Sequence, residues 1–477
     1  MSEKETVGMT EQVKETKKVS KADEAKKKKA KYAMIKVIVA LCAVLCIVLT
    51  VFEMGATYRA IKAVDVDGTE YSVAEYNWMY STSVYEVYNN LYQSYGDLTS
   101  YFLNVQKPLD EQKYSEEETW ADYIKAYADN ALIEMTELYN AAKESGFVLP
   151  EEVAATIEAE WAYLEYSAAY YGTTVGSYVE MNYGRGVNEK VFKDMYERYL
   201  YSIAYAESFV EGQEVAADEI DAYYAENAAD FDSVSFKYYF ANGTDEEGNE
   251  KELEMQMAKN EAEAIVAGTE EVEFSTQKYA LAAGLEEAYA EWLFDEARVA
   301  GDREMFEAEG GYYVFEFIGL DDLHYNTVNV RHILVAPKDT ADEASWQEAL
   351  AKAEEYKAEW EALGGSEEDF AEVAKEHSED SNASAGGLYE NVYKGQMVEE
   401  FENWCFDSAR KIGDSDIVKT TYGYHVMYFS GEAQDYYSYV VENSIVADRY
   451  TEYLDGLVDG VEVVGLSGER FVAKHFN

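Results

Sequence analysis

The chain has 477 residues, a formal net charge of −56 and a hydrophobic fraction of 48%. Its length exceeds what a single hydrophobic core usually serves, so several domains are expected. A surface this acidic repels nucleic acid and anionic lipid, so no nucleic-acid partner is expected. Solubility is the simplest role of the charge.

The first 36 residues differ from the rest because they contain 11 Lys and 6 acidic residues. Residues 1–31 are polar and aperiodic, and we expect a disordered cytoplasmic tail there. The charge-free stretch Val37–Phe52 follows a Lys cluster. By the positive-inside rule this predicts an uncleaved, single-pass signal anchor in the cell membrane over residues 32–56, with the bulk of the chain extracytoplasmic. A signal peptide cut after Ala56 is the alternative.

The three cysteines indicate that no intrachain disulfide joins parts of the exported region. Cys42 and Cys46 lie in the predicted anchor, which leaves Cys405 as the one thiol beyond it. Cys405 stands between Trp404 and Phe406. We therefore expect a small buried apolar side chain at this position and not a nucleophile.

Beyond the anchor, the chain begins with a predicted hairpin and continues as helix. Ile61–Val66 and Tyr71–Val73 are typical of strands, and Asp67-Gly68 is typical of the turn between them. Apolar residues then recur at helical spacing to about Ala229. Tyrosines three or four residues apart predict core or helix-packing faces, with a groove for unfolded peptides as the alternative. These tyrosines are Tyr85, Tyr88, Tyr92, Tyr95, Tyr163, Tyr166 and Tyr170.

One module occurs twice in the second half of the chain. Trp292–Gly319 and Trp404–Gly431 align without a gap and are identical at 12 of 28 positions. The shared pattern is W-x-F-D-x-A-R-x-x-G-D followed by G-Y-x-V-x-x-F-x-G. We call residues 231–321 copy one and residues 325–432 copy two. Histidines stand in the pattern of copy two only, which predicts chemistry in copy two and binding or support in copy one.

Each copy is predicted as a strand, then helices, then a closing strand, about 90 to 100 residues in all. The predicted strands are Val234–Ala241, Gly310–Gly319, Val328–Val335 and Thr421–Ser430, with Val461–Val464 as a last short strand. The predicted helices are Asp218–Phe231, Glu252–Ala267, Glu286–Arg298, Ala341–Leu363, Phe370–His377 and Tyr436–Leu457. Ser366 and Asp369 have the spacing of a capping box before one of these helices.

Copy two carries six separated motifs. They are Arg331-His332-Ile333-Leu334-Val335, Phe370-Ala371-x-x-Ala374, Ser378-x-Asp380-Ser381, Gly386-Gly387, Gly395-Gln396-Met397-Val398 with Phe401, and Thr420-x-x-Gly423-x-His425. In this order the motifs resemble a parvulin-type peptidyl-prolyl isomerase. With the anchor, the helical region and the terminal helix, most of residues 37–465 resemble the PrsA/SurA-like exported foldases.

The resemblance implies an α+β fold with a mostly helical N-terminal chaperone domain, a C-terminal helix that completes it, and two tandem parvulin-like modules. One transmembrane helix precedes them. The implied segments are residues 1–31 (tail), 32–56 (anchor), 57–230 (helical domain), 231–321 (degenerate module), 325–432 (isomerase module) and 433–477 (C-terminal helix packing with the N-terminal domain).

The resemblance also implies a site in copy two. The implied catalytic network is His332, Asp380, Thr420 and His425. The implied substrate-binding residues are Met397, Phe401, Tyr389 and Gln396. The alternative for all of them is structural: the histidines hold the sheet, the apolar residues are core, and Asp380 belongs to an ordinary loop.

Prolyl isomerisation asks little of these residues. Rotation about an Xaa-Pro amide faces a barrier of roughly 18–20 kcal/mol because resonance keeps the bond planar. No bond is broken, so neither a metal nor another cofactor is expected. An apolar cup for the proline ring and polar groups that favour the twisted amide are sufficient.

Two departures from the family pattern bear on specificity. Leu388-Tyr389-Glu390 stands where the family has an acid, Leu and Gly, so Tyr389 lines the cup at a position where Leu is usual. Phosphate-directed parvulins carry basic residues after the first strand, whereas Ala336–Ser345 offers only Lys338. A preference for phosphorylated substrates is therefore not expected.

Copy one lacks the polar network. Tyr238, Ala308 and Tyr313 align with His332, Thr420 and His425 of copy two. Leu285 and Tyr289 align with Met397 and Phe401, so an apolar cup could persist, but Asp380 has no counterpart. We predict an inactive module that binds peptides or acts as a spacer.

The expected function is an extracytoplasmic prolyl isomerase and chaperone that assists exported proteins. Its partners would be unfolded or newly translocated polypeptides with Xaa-Pro bonds and the membrane, and a homodimer is left open. The alternatives are a catalytically inert holdase and a surface scaffold. Asp65-x-Asp67-Gly68 and Asp245–Glu250 are weak candidates for Ca²⁺, because neither has the ligands of a defined loop.

Overall fold

The computed structural model describes Lys36, residues 55–244 and residues 251–472. It divides into two compact units. Unit 1 contains the chain up to Gly212 and from Tyr450 onwards, and unit 2 contains Gln213–Arg449. The predicted tail, the acidic loop Asp245–Glu250 and all of the predicted anchor except Lys36, Gly55 and Ala56 lie outside the described residues. Among the helices that are described, none has the length and hydropathy needed to cross a bilayer.

Most helices of the described chain precede the two sheets of its second half. The helices are α1 (Ala56–Ala60), α2 (Val73–Tyr95), α3 (Thr99–Phe102), α4 (Trp120–Ser145), α5 (Glu151–Tyr170), α6 (Val175–Tyr183), α7 (Glu189–Glu211), α8 (Ala217–Asn227), α9 (Glu252–Val266), α10 (Glu287–Leu293), α11 (Glu343–Leu363), α12 (Glu367–His377), α13 (Glu399–Cys405) and α14 (Tyr436–Val458). The strands are β1 (Lys62–Val66), β2 (Thr69–Ser72), β3 (Ser233–Asn242), β4 (Ser275–Leu281), β5 (Arg303–Ala308), β6 (Gly311–Leu320), β7 (Asn326–Val335), β8 (Leu388–Val392), β9 (Ser415–Lys419), β10 (Tyr424–Asp435) and β11 (Val463–Gly465).

Unit 1 is a helical body with one small sheet. The predicted hairpin is confirmed as β1 and β2, and Asp67 (φ 44°) and Gly68 (φ 82°) adopt the left-handed conformations of a two-residue Asp-Gly turn. The predicted last strand is confirmed as β11, which pairs with β1. Capping boxes at Ser72 and Thr119 begin the long helices α2 and α4.

The prediction that the periodic tyrosines of unit 1 are core or packing residues holds for Tyr88, which packs against the core, and is wrong for the other six. On α5, the exposed fractions of Tyr163, Tyr166 and Tyr170 are 61%, 69% and 75%. On α2, Tyr85, Tyr92 and Tyr95 are also exposed, while a different face of this helix is buried in the core. A helix with aromatic residues on two faces has two candidate inward stripes, and periodicity alone does not choose between them.

Unit 2 contains the two copies as two sheets with the same topology. Copy one has the strand order β4-β3-β6-β5 and copy two has β8-β7-β10-β9, with antiparallel neighbours throughout. The predicted first and closing strands are the two central strands of each sheet. The outer strands were not predicted, because short and largely exposed strands such as β4 lack an alternating pattern.

The helices of the copies differ in number. Copy two packs α11 and α12 on one face of its sheet, where copy one has only α9. The capping box is confirmed, since Ser366 and Asp369 exchange hydrogen bonds at the start of α12. Helix α10 ends at Leu293 and not at Arg298 as predicted, because the following residues form a turn.

That turn explains the pattern shared by the copies. In copy two the Arg410 guanidinium lies 4.0 Å from the centre of the Trp404 ring, and the Gly413 N–H donates to the Phe429 carbonyl at 2.9 Å. Copy one repeats these contacts between Arg298 and Trp292 and between Gly301 and Phe317. The shared residues therefore fix the turn that leads into the outer strand, and they carry no chemistry.

Helix α8 and the part of α14 up to Arg449 pack together within unit 2. The predicted helix Asp218–Phe231 is observed as α8 and a short 3-10 turn at Ala228–Asp230. Ile220 on α8 packs with Val441 and Ile445 on α14. Arg449 donates from Nη2 to both carboxylate oxygens of Glu219 at 2.7 and 2.8 Å. The predicted helix Tyr436–Leu457 is confirmed as α14.

Candidate active site

The centre of the site is built by two neighbouring strands of copy two. His332 on β7 pairs with Met427 on β10, and His425 on β10 pairs with Leu334 on β7. This register places the two histidines diagonally on one face of the sheet. Their exposed fractions are 1% and 5%. Alternate residues of β7 point to the opposite face, where Ile333 packs against α11 and α12.

The histidines form a continuous polar network with Thr420. Nδ1 of His332 lies 3.0 Å from Nδ1 of His425, and the two rings are stacked at 5.2 Å with 18° between their planes. Nε2 of His425 lies 2.9 Å from Oγ1 of Thr420. Thr420 in turn accepts the backbone N–H of Tyr422 at 3.1 Å.

Asp380 lies at the other end of this network. Its Oδ2 is 3.4 Å from Nε2 of His332. Its Oδ1 accepts the backbone N–H of Asn382 at 3.1 Å and the hydroxyl of Tyr389 at 3.3 Å. The structure thus brings together all four residues that the sequence predicts as catalytic.

The partners determine the direction of the hydrogen bonds. A carboxylate only accepts, so the nitrogen of His332 that faces Asp380 carries a proton. Neutral His332 then has a bare Nδ1, which accepts the Nδ1 proton of His425. The bare Nε2 of His425 accepts the Thr420 hydroxyl, whose oxygen accepts Tyr422. One arrangement therefore satisfies each hydrogen bond from Tyr422 to Nδ1 of His332 with both histidines neutral. The Nε2 proton of His332 faces Asp380 at 3.4 Å but lacks the geometry of a hydrogen bond.

The electrostatics agree with neutral rings. Burial lowers the pKa of His332, with Asp380 opposing the shift. Burial, followed by the neighbouring His332, lowers the pKa of His425 to about 4. Burial acts to raise the pKa of Asp380, but the Asn382 N–H and His332 outweigh it and the pKa is lowered. At neutral pH the site holds two neutral imidazoles and one carboxylate.

Aromatic and apolar side chains cover the histidines. The Phe401 ring lies edge-on to His332 and His425, 5.5 Å from each ring centre. Tyr389 stacks on His332 at 5.1 Å, and Met397 belongs to the same apolar cluster as Phe401. We call Tyr389, Met397 and Phe401 the cup. Gln396, the fourth predicted binding residue, is exposed, and its Oε1 accepts the backbone N–H of Tyr393 at 3.2 Å.

Backbone contacts behind the histidines were missed by the sequence reasoning. The Gly387 carbonyl accepts the His332 N–H at 2.9 Å, and a Cβ on Gly387 would overlap the His332 carbonyl oxygen. Arg331 donates to the carbonyls of Ala385 and Gly386 at 3.1 Å each and to Glu367 at 2.9 Å. Arg331 therefore ties the loop that bears Asp380 to the sheet. The motif contained these residues, but their roles depend on contacts distant in sequence.

Copy one fills the equivalent space with rings. Tyr238 pairs with Phe315, and Phe240 pairs with Tyr313, which is the same register as in copy two. Tyr238 and Tyr313 therefore occupy the positions of His332 and His425. Tyr289, equivalent to Phe401, packs edge-on against Tyr313 at 6.3 Å and Phe315 at 5.1 Å. An aromatic cluster thus replaces the polar network.

Two other groups of reactive side chains lie outside the network. Cys405 is 1% exposed, and burial raises the pKa of its thiol to about 12, which fits an unreactive core residue. Glu359, Glu376 and His377 are close enough together to share a metal ion. His377 already contacts Glu359 at 3.2 Å and stacks on Tyr356 at 4.2 Å, so the group is also explained as a surface cluster.

The comparison with known families assigns copy two. Residues 332–431 match the family model for the rotamase, PPIC-type PPIase domain. Copy two is a parvulin-type rotamase domain. The Foldase protein PrsA of Bacillus subtilis (strain 168) is 40% identical over 102 residues, which is 21% of this chain and 29% of the relative. Chaperone SurA of Chromobacterium violaceum is 26% identical over 185 residues, or 36% of this chain and 41% of the relative.

The matches cover only part of the relatives. The chain spans less than a third of the length of the PrsA relative, at 29%. The crystal structure of PrsA from Bacillus subtilis aligns with 84% of this chain and 91% of its own at 16% identity, with a TM-score of 0.23. With so low a score, the assignment rests on the sequence match of the rotamase domain.

Substitution of Gly387 tests the backbone support of His332. Gly387→Ala adds a Cβ against the His332 carbonyl at a φ of 68°, so we expect a loss of more than about 2 kcal/mol in unfolding free energy. Gly413→Ala is the matched control, because φ is 89° but nothing lies within 4 Å of the new Cβ. It should cost about 1 kcal/mol. Equal losses in urea denaturation of unit 2 signals would contradict the assigned contact.

Histidine NMR tests the direction of the network. The chain contains five histidines, so selective ¹⁵N labelling gives a resolvable spectrum, with exposed His324 as internal reference. At pH 7 we expect His332 to carry its proton on Nε2 and His425 on Nδ1. The opposite tautomers, or a charged ring at pH 6, would contradict the assignment.

The same network predicts acid destabilisation. An unfolded histidine has a pKa of about 6.5, whereas that of folded His425 is about 4. Between these values the unfolded chain binds more protons, so stability falls as pH falls from about 6.5 towards 4, by on the order of 3 kcal/mol for this residue. The lowered pKa of His332 acts in the same direction. Denaturation of the His425→Phe variant should show a weaker dependence on pH in this window.

Proposed function

We propose that the chain is an extracytoplasmic prolyl cis/trans isomerase and chaperone for exported proteins, with noncovalent catalysis in copy two. The observation that carries the proposal is the buried network from Asp380 through His332 and His425 to Thr420, beneath the cup. A purely structural pair of histidines needs no apolar cup against it. The match of copy two to the rotamase family supports the same function.

The chemistry requires rotation and no bond cleavage. Resonance in a planar Xaa-Pro amide places partial negative charge on oxygen and partial positive charge on nitrogen, and both decrease as the bond twists. A water-poor cup stabilises the less polar, twisted amide relative to the planar one. The proline ring would lie against Phe401 and Met397, and the buried polar network would fix the shape of the floor beneath it.

The residues of the network hold positions and donate no charge. Both imidazoles are neutral at pH 7, so neither acts as a cationic electrophile. Rotation of the amide transfers no proton, so no general base is required. Asp380 fixes the tautomer of His332, and Thr420 fixes that of His425. Tyr389 narrows the cup, since its ring covers His332 and its hydroxyl is directed to Asp380.

The chaperone part of the proposal rests on unit 1. Tyr163, Tyr166 and Tyr170 form an exposed aromatic stripe on α5, of a kind that can contact unfolded chains. A cavity of about 280 Å³ elsewhere in unit 1 is also lined by aromatic residues. Its lining includes Trp78, Tyr127, Tyr199 and Tyr450, together with Glu86 and Glu134.

This cavity suits a cationic side chain next to an apolar one. The carboxylate of Glu86 accepts the Tyr127 hydroxyl, and burial raises the pKa of Glu134. Among the described residues that line the cavity, none is Lys or Arg. Aromatic faces and carboxylates together attract ammonium and guanidinium groups. Segments of unfolded polypeptide that contain Lys or Arg among apolar residues are therefore the proposed clients.

We further propose that residues 32–56 anchor the protein in the cell membrane, with the bulk of the chain outside. The observation behind this is the order of Lys cluster and charge-free stretch in the sequence. Nucleic acid is not a proposed partner, because the charge is strongly acidic. The second candidate function is a catalytically inert holdase. The observation that favours it is the exposure of the tyrosines in unit 1.

Isomerase activity is tested on the full chain with a panel of Xaa-Pro peptides in a protease-coupled assay. We expect catalysis by the wild-type protein, with kcat/KM lowered about tenfold to a hundredfold by His425→Phe and by Thr420→Val. Both changes break the network with little change in volume. The matched control is Tyr313→Phe at the equivalent position of copy one, which should leave the rate unchanged. Background rates from a folded wild-type chain would favour the holdase.

Client binding is tested by fluorescence anisotropy. A labelled peptide with one Lys among apolar residues should bind about fivefold more weakly to Glu134→Gln, because the cavity loses a carboxylate. A matched peptide with norleucine in place of Lys should bind both proteins equally. Glu152→Gln, at an exposed position on α5, is the control substitution. If the two substitutions act alike, the cavity does not bind the cation.

A further inference from the structure

Copy one contacts copy two at the backbone beside the cup. We call Lys394–Val398 the cup loop, since it contains Met397 and leads into α13, which contains Phe401. Gly395 in this loop has a φ of 88°, and a Cβ there would lie 2.7 Å from Cδ2 of Tyr279. Tyr279 belongs to β4, the outer strand of copy one. Its ring therefore covers the face of Gly395 on which a side chain would stand.

A buried carboxylate joins the two sides of this contact. Glu402 on α13 is 8% exposed. Its Oε1 accepts the Tyr279 hydroxyl at 3.4 Å, and its Oε2 accepts the backbone N–H of Gly395 in a short hydrogen bond. Burial, followed by Glu402, raises the pKa of Tyr279 to about 12, which keeps its hydroxyl protonated and able to donate. Since Glu402 follows Phe401 directly, its position also determines that of the cup.

A second ion pair joins the same two elements. Lys278 Nζ lies 3.0 Å from Glu399 Oε1. Lys278 is the residue before Tyr279, and Glu399 begins α13. Both partners are exposed, so this pair contributes little energy but adds to the alignment of β4 with α13.

The conformation of Tyr279 is unusual and is maintained from within copy one. Its φ of 53° is in the left-handed region, which a residue with a large side chain rarely adopts. The Tyr279 N–H donates to Ser235 Oγ at 3.3 Å, and Ser235 donates to Asp321 at 2.9 Å. Strain of this kind persists where surrounding contacts hold it, and it is common next to functional sites.

We propose that Tyr279 is a positioning residue for the isomerase site of copy two. Through Gly395 and Glu402 it sets the cup loop and α13, and hence where Met397 and Phe401 meet the proline ring. The inactive copy is then a part of the catalytic unit and not a spacer. This inference rests on the proposed isomerase function.

Two substitutions in the full chain test it. Tyr279→Gly removes the ring and hydroxyl while relieving the backbone strain, so copy one remains folded. We expect kcat/KM to fall about fivefold to tenfold, with the change mainly in KM because the cup binds the proline ring. Tyr279→Phe keeps the ring and loses only the hydroxyl. We expect the kcat/KM of this variant to fall only about twofold below that of the wild-type protein.

The control is Tyr239→Phe. The Tyr239 hydroxyl also donates to a carboxylate of copy one, Glu261, at 2.8 Å, but away from the cup loop. This variant should keep wild-type kcat and KM. An equal loss in Tyr239→Phe, or none in Tyr279→Gly, overturns the inference.

Failure of the inference can be told from failure of the proposed function. If the wild-type chain has no isomerase activity, the proposed function fails, and the ¹⁵N shifts of His332 and His425 provide the remaining readout. We expect Tyr279→Gly to shift both resonances, since Phe401 lies edge-on to both rings. Unchanged shifts would show that Tyr279 does not position the cup.

Discussion

The antiparallel pairing of β7 with β10 is the constraint on which the site depends. Its register places His332 diagonally opposite His425, so that their Nδ1 atoms meet at 3.0 Å in a buried space. Two buried imidazoles are stable only if each nitrogen has a partner, because an unpaired polar atom loses its hydration without compensation. Thr420 supplies the outer partner of His425 by a hydrogen bond, and the carboxylate of Asp380 lies 3.4 Å from the outer nitrogen of His332. The same register then leaves room above the rings for Phe401, and the cup follows from it.

The two copies fill the same buried space on one face of the sheet in different ways. Both copies have the same strand order and the same turn fixed by an Arg over a Trp ring. Copy two fills the space with a polar network and a cup. Copy one fills it with Tyr238, Tyr313 and their aromatic neighbours, which need fewer polar partners. A scaffold that tolerates both fillings can lose the site in one copy while the fold is kept, and the outer strand of that copy is free to support its neighbour.

The proposed catalysis and the proposed client binding would use different surfaces of the chain. The site in copy two buries two neutral imidazoles beside one carboxylate, whereas unit 1 exposes tyrosines and combines aromatic rings with Glu86 and Glu134 in a cavity. Binding an unfolded segment through scattered aromatic and ionic contacts is weak and tolerant of sequence. Rotation of one amide requires a defined cup. We therefore assign the two proposed activities to two kinds of surface, isomerisation to the buried site of copy two and client binding to the exposed aromatic residues and cavity of unit 1.

The sequence by itself determined the duplication, the hairpin at Asp67-Gly68 and the central strands, because these depend on local turn chemistry, on periodicity and on motifs in order. The motifs also singled out the four polar residues that the structure brings together in the candidate site. It did not determine the short outer strands, which lack a pattern, or which tyrosine stripe of α2 and α5 faces the solvent. Tertiary structure alone decided the direction of the hydrogen bonds from Thr420 to His332. It also decided the contact of Tyr279 with Gly395, because these residues are far apart in the chain and no local sequence pattern predicts a contact between them.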